Sequence, residues 1–313
     1  MSESWIRKMR CFKVEKGMSY KYNKGFTLFS HMILIIASIS CIFPFVLLIM
    51  ASFTEETTLI RNGYSIFPEN FSLEAYEYIF SQADTIFRAY GITLIVTVAG
   101  TAAGLLITAM LAYTLSQYNL PGGKIMSFVV VFSMLFNGGL VATYLWYTGT
   151  LHLKNTIWAL LVPGLVTNGF LILIATNYFR TNVPQEVVEA ARVDGAGEFR
   201  IFFTIVTPFS KPILAALGIM QGIGYWNDWK NGLYYLTDPV YFNIQNILNR
   251  MIQEISFLSS GDAGGYASDY AGSIPTASVR MAIAVIAVIP IMVIYPFFQE
   301  QFARGLTIGA VKG

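Results

Sequence analysis

The sequence predicts an all-α membrane protein of six transmembrane helices, with its N- and C-termini on the cytoplasmic side. Three observations carry that prediction. First, 55% of the 313 residues are hydrophobic and only 12% are charged, about half the charged share of a soluble globular domain. Second, six stretches lack Asp, Glu, Lys and Arg, and five of them are long enough for a helix to cross a hydrocarbon core of about 30 Å. Third, the basic residues are unevenly divided between the loops. The same composition excludes a disordered chain. A net charge of +2 is too small to support nucleic-acid binding by charge.

The elements follow in order. Residues 1–26 form a basic segment carrying Arg7, Lys8, Arg10, Lys13, Lys16, Lys21 and Lys24, suited to anionic membrane lipid. The uncharged run Gly25–Thr54 gives a first span at about 28–51. It is too long for a signal-peptide core and lacks a small-residue cleavage site, so it is read as retained. Cys41 lies inside this span and Cys11 before it, which leaves no disulfide to expect. The outer segment 53–88 is acidic and is predicted to hold a short surface helix around Leu73–Phe80.

Runs Ala89–Gly123, Ile125–Leu153 and Asn155–Phe179 give spans at 91–115, 125–147 and 157–178. The run Pro212–Asn227 is shorter, but Tyr225, Trp226 and Trp229 extend it as an aromatic belt, giving 211–232. An outer segment follows, with an amphipathic stretch Ile244–Phe257 and a Gly/Ser/Asp-rich loop at 259–272. Run Met281–Gln299 supplies the last span at 279–298, before a tail at 299–313. Pro44, Pro163, Pro290 and Pro296 are expected to kink their helices. The N-terminus, the 116–124 loop, the 179–210 loop with Lys211, and the tail carry fourteen basic residues; the opposite loops carry six. The positive-inside rule places the first set in the cytoplasm.

Segment 179–211 is too polar to cross and reads as a helix–turn–helix on the cytoplasmic face. Pro184 suits a first turn, with Glu186 close behind it. Val187, Val188, Ala190 and Ala191 supply a small apolar face. Gly195 and Gly197 stop the helix and allow a tight turn. Phe199, Ile201, Phe202, Ile205 and Val206 form a second apolar helix, expected to break at Pro208.

The segment resembles the EAA loop of permease subunits of ATP-binding-cassette (ABC) importers. That pattern is Glu-Ala-Ala, three residues, Gly, nine residues, Ile, one residue, Leu-Pro. Here Glu189-Ala190-Ala191, Gly195, Ile205 and Thr207-Pro208 keep every spacing, with Thr207 in place of Leu. The longer form through Asp194-Gly195-Ala196, and the tail Arg304–Gly313, resemble the carbohydrate branch, in particular the smaller maltose-G-like partner. The resemblance spans roughly residues 25–313. It implies the type I ABC importer permease fold over a domain of 27–313, with 179–211 as the coupling loop. It also implies the partners: a second, homologous permease, two ATP-binding-cassette ATPases and an extracytoplasmic solute-binding lipoprotein. The localisation implied is multi-pass in a bacterial inner membrane, and the cargo a sugar or oligosaccharide. Glu186, Glu189, Ala190, Ala191, Arg192, Asp194, Gly195, Ile205 and Pro208 would form the ATPase-coupling surface.

Polar residues at bilayer depth supply further candidates. Asn137, Asn168 and Gln221 lie near mid-membrane, and Trp226 and Asn227 near the mouth. Amides and aromatic faces suit sugar rings, so these could line a substrate path; interhelical hydrogen bonding and an interfacial aromatic belt are the alternatives. His31 and His152 are isolated, so no metal site is expected. No phosphate-binding Gly-x-x-x-x-Gly-Lys-Ser/Thr occurs, so ATP and Mg must be bound by a partner and no cofactor is assigned to this chain. No catalytic acid pair, His-Glu-x-x-His or Ser/His arrangement is evident, and the chain is read as no enzyme. An ion-coupled secondary transporter is the alternative, but no Asp or Glu falls inside the confident spans and no inverted repeat is visible. A membrane scaffold would not require the EAA spacing.

Overall fold

The computed structural model describes residues 24–293 apart from 82, 118–119, 137, 167, 260–276 and 291. The basic segment up to residue 23 with Cys11, Asn137, nearly all of the 259–272 loop, Pro296 and the 299–313 tail therefore lie outside the described residues. What is described is helical: α1 (Lys24–Ser52), α2 (Glu56–Asn62), α3 (Glu74–Phe80), α4 (Ala83–Ser116), α5 (Gly123–Leu135) and α6 (Gly139–Leu145). Then follow α7 (Trp158–Val166), α8 (Gly169–Asn182), α9 (Gln185–Val193), α10 (Glu198–Phe209), α11 (Lys211–Trp226), α12 (Lys230–Tyr235), α13 (Ile244–Ser259) and α14 (Ala277–Pro290).

Among the described residues only α1 and α4 are single helices long and apolar enough to cross a bilayer; the bent pairs α5–α6, α7–α8 and α10–α11 lie at the third, fourth and fifth predicted spans, and the shorter apolar helix α14 lies in the sixth. Two spans expected to be continuous are broken. In span 125–147, α5 and α6 meet at 114°, and Gly139 takes φ +80°, which glycine adopts without steric cost. In span 157–178, α7 and α8 meet at 48°, and the Asn168 side chain accepts from the Leu171 N–H to start α8 anew. The fifth span ends six residues early. The Asn227 N–H bonds back to Ile223 and closes α11, and the chain turns before α12. Conversely α4 starts eight residues ahead of its predicted boundary. Pro44 and Pro163 sit inside α1 and α7.

The outer segment 53–88 forms two short helices, α2 and α3, rather than one. An isolated antiparallel bridge, Thr54 to Phe71, draws its ends together. α3 buries Ala75 and Ile79, while Leu73 and Phe80 remain exposed. Tyr76 fixes this segment to the end of α1: its hydroxyl lies 2.8 Å from the Ser52 hydroxyl and its ring stacks on Phe53 at 4.9 Å. α2 also reaches the last span. The Glu56 carboxylate accepts from the N–H groups of Ala277 and Ser278, each at 2.8 Å, and from the Ser278 hydroxyl at 2.9 Å. A carboxylate there satisfies orphan donors at the start of α14 and complements the helix dipole.

The core has two parts. One gathers α3, α7, α12, α13 and α14 around Ile79, Leu160, Tyr235, Ile244 and Ile283. The other gathers α4, α8, α9, α10 and α11 around Ala112, Leu171, Phe179, Val188, Ile201 and Leu217. The amphipathic stretch read from the sequence is α13, which buries Ile244, Ile247, Leu248 and Met251. α4 runs through both parts. It meets α11 along Gly100 and Gly104, spaced as in close-packed membrane helix pairs. The Tyr225 ring fills the space where a Cβ on Gly100 would stand, and the Gln221 amide does the same at Gly104.

Candidate functional site

The site of interest is the hairpin α9–α10, built from Gln185 to Phe209. α9 begins after Pro184, whose ψ of 120° keeps it just outside the helix, and carries Glu186 in its first turn and Arg192 in its last. Both charges suit the helix dipole. Its end is a Schellman motif. Gly195 takes φ +81°; its N–H bonds to the Arg192 carbonyl at 3.0 Å and the Ala196 N–H to the Ala191 carbonyl at 2.9 Å. A Cβ at Gly195 would meet nothing within 4 Å, so glycine is needed there for its backbone angle and not for space.

The four small apolar residues of α9 do not share a face. Val188 is 1% exposed and Ala191 half-buried against α10, because positions three apart point the same way. Val187, Ala190 and Val193 repeat at three-residue spacing on the opposite side. They form an exposed apolar stripe, with Val193 88% exposed. Phe199, at 68%, continues it onto α10. Glu186, Glu189 and Asp194 are exposed beside it.

Pro208 does not break the second helix. A π-helical turn at Phe202–Val206 widens the helix, with the Thr207 N–H reaching back five residues to the Phe202 carbonyl. The Thr207 hydroxyl donates to the same carbonyl at 2.9 Å. The wider turn accommodates a proline that supplies no N–H. The chain bends two residues later at Ser210, where α10 and α11 meet at 88°. Ile205 is half-buried in this turn.

A polar network fastens the hairpin to the end of α4. The Arg192 Nε donates to Glu198 Oε1 at 2.7 Å and its Nη2 to Glu198 Oε2 at 3.2 Å. The Tyr113 hydroxyl donates to Glu198 Oε2 at 2.6 Å. Arg192 Nη2 also donates to the Gln117 side-chain carbonyl at 2.8 Å. Beside it Arg180 donates to the Leu115 carbonyl at 2.6 Å. The Tyr113 ring packs on Phe202 at 5.6 Å. The Arg192 guanidinium holds the Glu198 carboxyl below its ordinary value, and Glu198 in turn raises Arg192. A cleft of about 430 Å³ opens between hairpin and α4, lined among others by Met110, Thr114, Gln117, Gln185, Glu189 and Phe199. Arg192, expected at the ATPase-coupling surface, donates to this chain's own Glu198 and Gln117 while remaining exposed. Sequence reasoning missed Glu198, Tyr113 and Gln117. Only the six-residue offset between Arg192 and Glu198 gave a local signal.

The described candidates of the substrate path, Asn168, Gln221, Trp226 and Asn227, each have their own local setting. Asn168 is the cap of α8. Gln221 is 5% exposed and neither amide atom has a hydrogen-bond partner among the described residues. Trp226 is 7% exposed, with its ring 6.4 Å from that of Tyr90. Asn227 is exposed; its side chain donates to the Ile223 carbonyl at 3.1 Å and accepts from Gln245 at 3.5 Å. Among the described residues no group of three His, Cys, Asp or Glu is placed to hold a metal ion.

The chain is similar to known proteins in sequence and in fold. The model of the binding-protein-dependent transport system inner membrane component matches residues 18–308. The polygalacturonan/rhamnogalacturonan transport system permease protein YtcP of Bacillus subtilis is 36% identical over 292 residues, covering 93% of this chain and 99% of that protein. Protein LplC of the same organism is 37% identical over 272 residues, 87% of this chain and 90% of its own length. Among solved structures, a bacterial ABC transporter involved in the import of the acidic polysaccharide alginate has a chain that matches with a TM-score of 0.75 at 23% identity, over 90% of this chain and 98% of that one. The long apolar helices, the capped hairpin between the fourth and fifth spans and these matches agree: the chain belongs to the family of binding-protein-dependent transport system inner membrane components, the permeases of ABC importers.

Proposed function

We propose that this chain forms one half of the translocation pathway of an ATP-driven importer of oligosaccharides, in a bacterial cytoplasmic membrane. In that reading it pairs with a second homologous permease. Two ATPase subunits bind the ATP and Mg, and an extracytoplasmic binding protein delivers the sugar. The chain itself catalyses no reaction. The permease domain is 27–313, preceded by a basic lipid-facing segment and followed by a cytoplasmic tail, and the 179–211 side faces the ATPase.

One observation carries the coupling role: the exposed apolar stripe Val187, Ala190, Val193 and Phe199 on a short, firmly capped hairpin. Small side chains allow a partner surface to approach closely, and Glu189, Glu186 and Asp194 give it a polar rim. Gly195 sets the turn, and Ile205 and Pro208 shape the helix that leads into α11. Asn137, Asn168, Gln221, Trp226 and Asn227 are assigned to the sugar path on the chemistry of amides and aromatic faces alone.

The test is affinity purification of the tagged chain from native membranes in mild detergent, with mass spectrometry of what accompanies it. Recovery of an ATPase and a second permease is expected. Digests of polygalacturonan, rhamnogalacturonan and alginate are then tried as stimulants of ATP hydrolysis in proteoliposomes. Recovery of the chain alone, with uptake independent of ATP, would replace this reading with an ion-coupled carrier.

A further inference from the structure

We infer that Glu198 and Tyr113 are positioning residues that tie the coupling hairpin to α4, so that nucleotide-driven movement of the hairpin is delivered to α4 as well as to the helices continuous with it. This rests on the importer reading above. The hairpin is covalently joined to α8 on one side and α11 on the other. α4 has no such connection; 85 residues separate Tyr113 from Glu198. Yet α4 is the helix that runs through both core clusters and packs on α8 and α11.

The link has an unequal construction. Glu198 stands at its centre and receives three hydrogen bonds, two from Arg192 on α9 and one from Tyr113 on α4. Arg192 adds a fourth strand through Gln117, just past the end of α4. Both arms of the hairpin are therefore held at one carboxylate, and that carboxylate is held to α4. Charge-assisted bonds of this kind are the short, directional ones. Around it the Tyr113 ring lies on Phe202, so the hydroxyl is aimed by packing and not by the bond alone. Loss of the Tyr113 hydroxyl or the Glu198 carboxylate leaves the hairpin folded by its Schellman turn and by Val188 and Ile201, but held to α4 only by the Arg192–Gln117 bond and by packing such as that of Tyr113 on Phe202.

The test uses the whole complex recovered with this chain, in lipid nanodiscs, with spin labels at Ile107 on α4 and Thr204 on α10, both exposed positions. The probe is ATP with vanadate, which requires no knowledge of the sugar. In the otherwise unaltered chain the label distance should keep one narrow distribution before and after trapping. Tyr113→Phe, which removes only the hydroxyl, and Glu198→Gln should each raise the detached population on the order of ten-fold while trapping vanadate–nucleotide at the unaltered level. The double variant should be no worse than either single one. A distance that changes on trapping in the unaltered chain, or variants that leave it narrow, would overturn the inference. If instead no ATPase accompanies the chain, it is the importer reading that fails.

Discussion

The Tyr225 hydroxyl donates to the Leu161 carbonyl at 2.9 Å, joining α11 to α7 across the face of α4. The ring reaches that carbonyl through a passage left by two glycines. A Cβ on Gly100 would stand 2.6 Å from the ring and one on Gly164 2.7 Å from it. Three spans are thus registered by one side chain, and the register depends on two residues having none.

That crossing should resist even a methyl group. Gly100→Ala and Gly164→Ala are expected to lower the thermal stability of the purified complex, each by roughly 1–3 kcal/mol. Gly91→Ala, which meets open space in the same helix, serves as the control and should stay within about 0.5 kcal/mol. Tyr225→Phe loses only the bond and should cost about 0.5–1.5 kcal/mol. Equal shifts for all three glycine variants in a thermal melt would contradict this account.

Glu56 caps α14 from more than two hundred residues away. Glu56→Ala should destabilise the protein by about 0.5–2 kcal/mol, the usual worth of an N-cap, and Glu56→Gln by less, since one oxygen still accepts. Hydrogen exchange at the first turn of α14 reads this directly: protection should fall in the order unaltered, Gln, Ala.

Gly195→Asp separates folding from coupling. The position has room, so the cost is that of a left-handed backbone angle, about 1 kcal/mol, and the complex should still be recovered. With the Schellman turn distorted, the exposed stripe is misaimed, and uptake per ATP hydrolysed should drop. Uptake at the unaltered level would remove the hairpin from the coupling role.

The hairpin link has a defined acid limit. Glu198 titrates below its ordinary value of 4.5, held down first by its hydrogen bond from Arg192. A lowered acid pKa contributes stability above the unfolded value, lost as pH falls through the folded one. Attachment of hairpin to α4 should therefore be constant from neutral pH down to the ordinary carboxylate range and weaken only below it. The same spin-label pair followed against pH measures this, and a change between pH about 6 and 8 would be inconsistent with it.

Gln221→Leu should stabilise the fold by about 1–3 kcal/mol, because a buried amide with no hydrogen-bond partner among the described residues is replaced by apolar surface. If Gln221 also serves the sugar path, uptake falls while the melting temperature rises. A melt unchanged or lowered would mean the amide is satisfied in the assembled importer.

By itself the sequence determined the helical class, the apolar runs that become helices, the hairpin and the family, because these rest on signals local in the chain. They are uncharged runs, periodicity, and a motif whose glycine must take a left-handed angle. It also located α13 through its amphipathic pattern. Tertiary structure decided what depends on residues far apart. The breaks at Gly139 and Asn168 are such cases, since an apolar run is equally compatible with one helix or two. So is the helix through Pro208, which continues because a π turn absorbs the missing donor. The division of α9 between a buried Val188 and an exposed Val187, Ala190 and Val193 needed the position of α10. Arg192 shows the limit most clearly: its charge and place are written in the motif, but its partners Glu198 and Gln117 are chosen by where α4 ends.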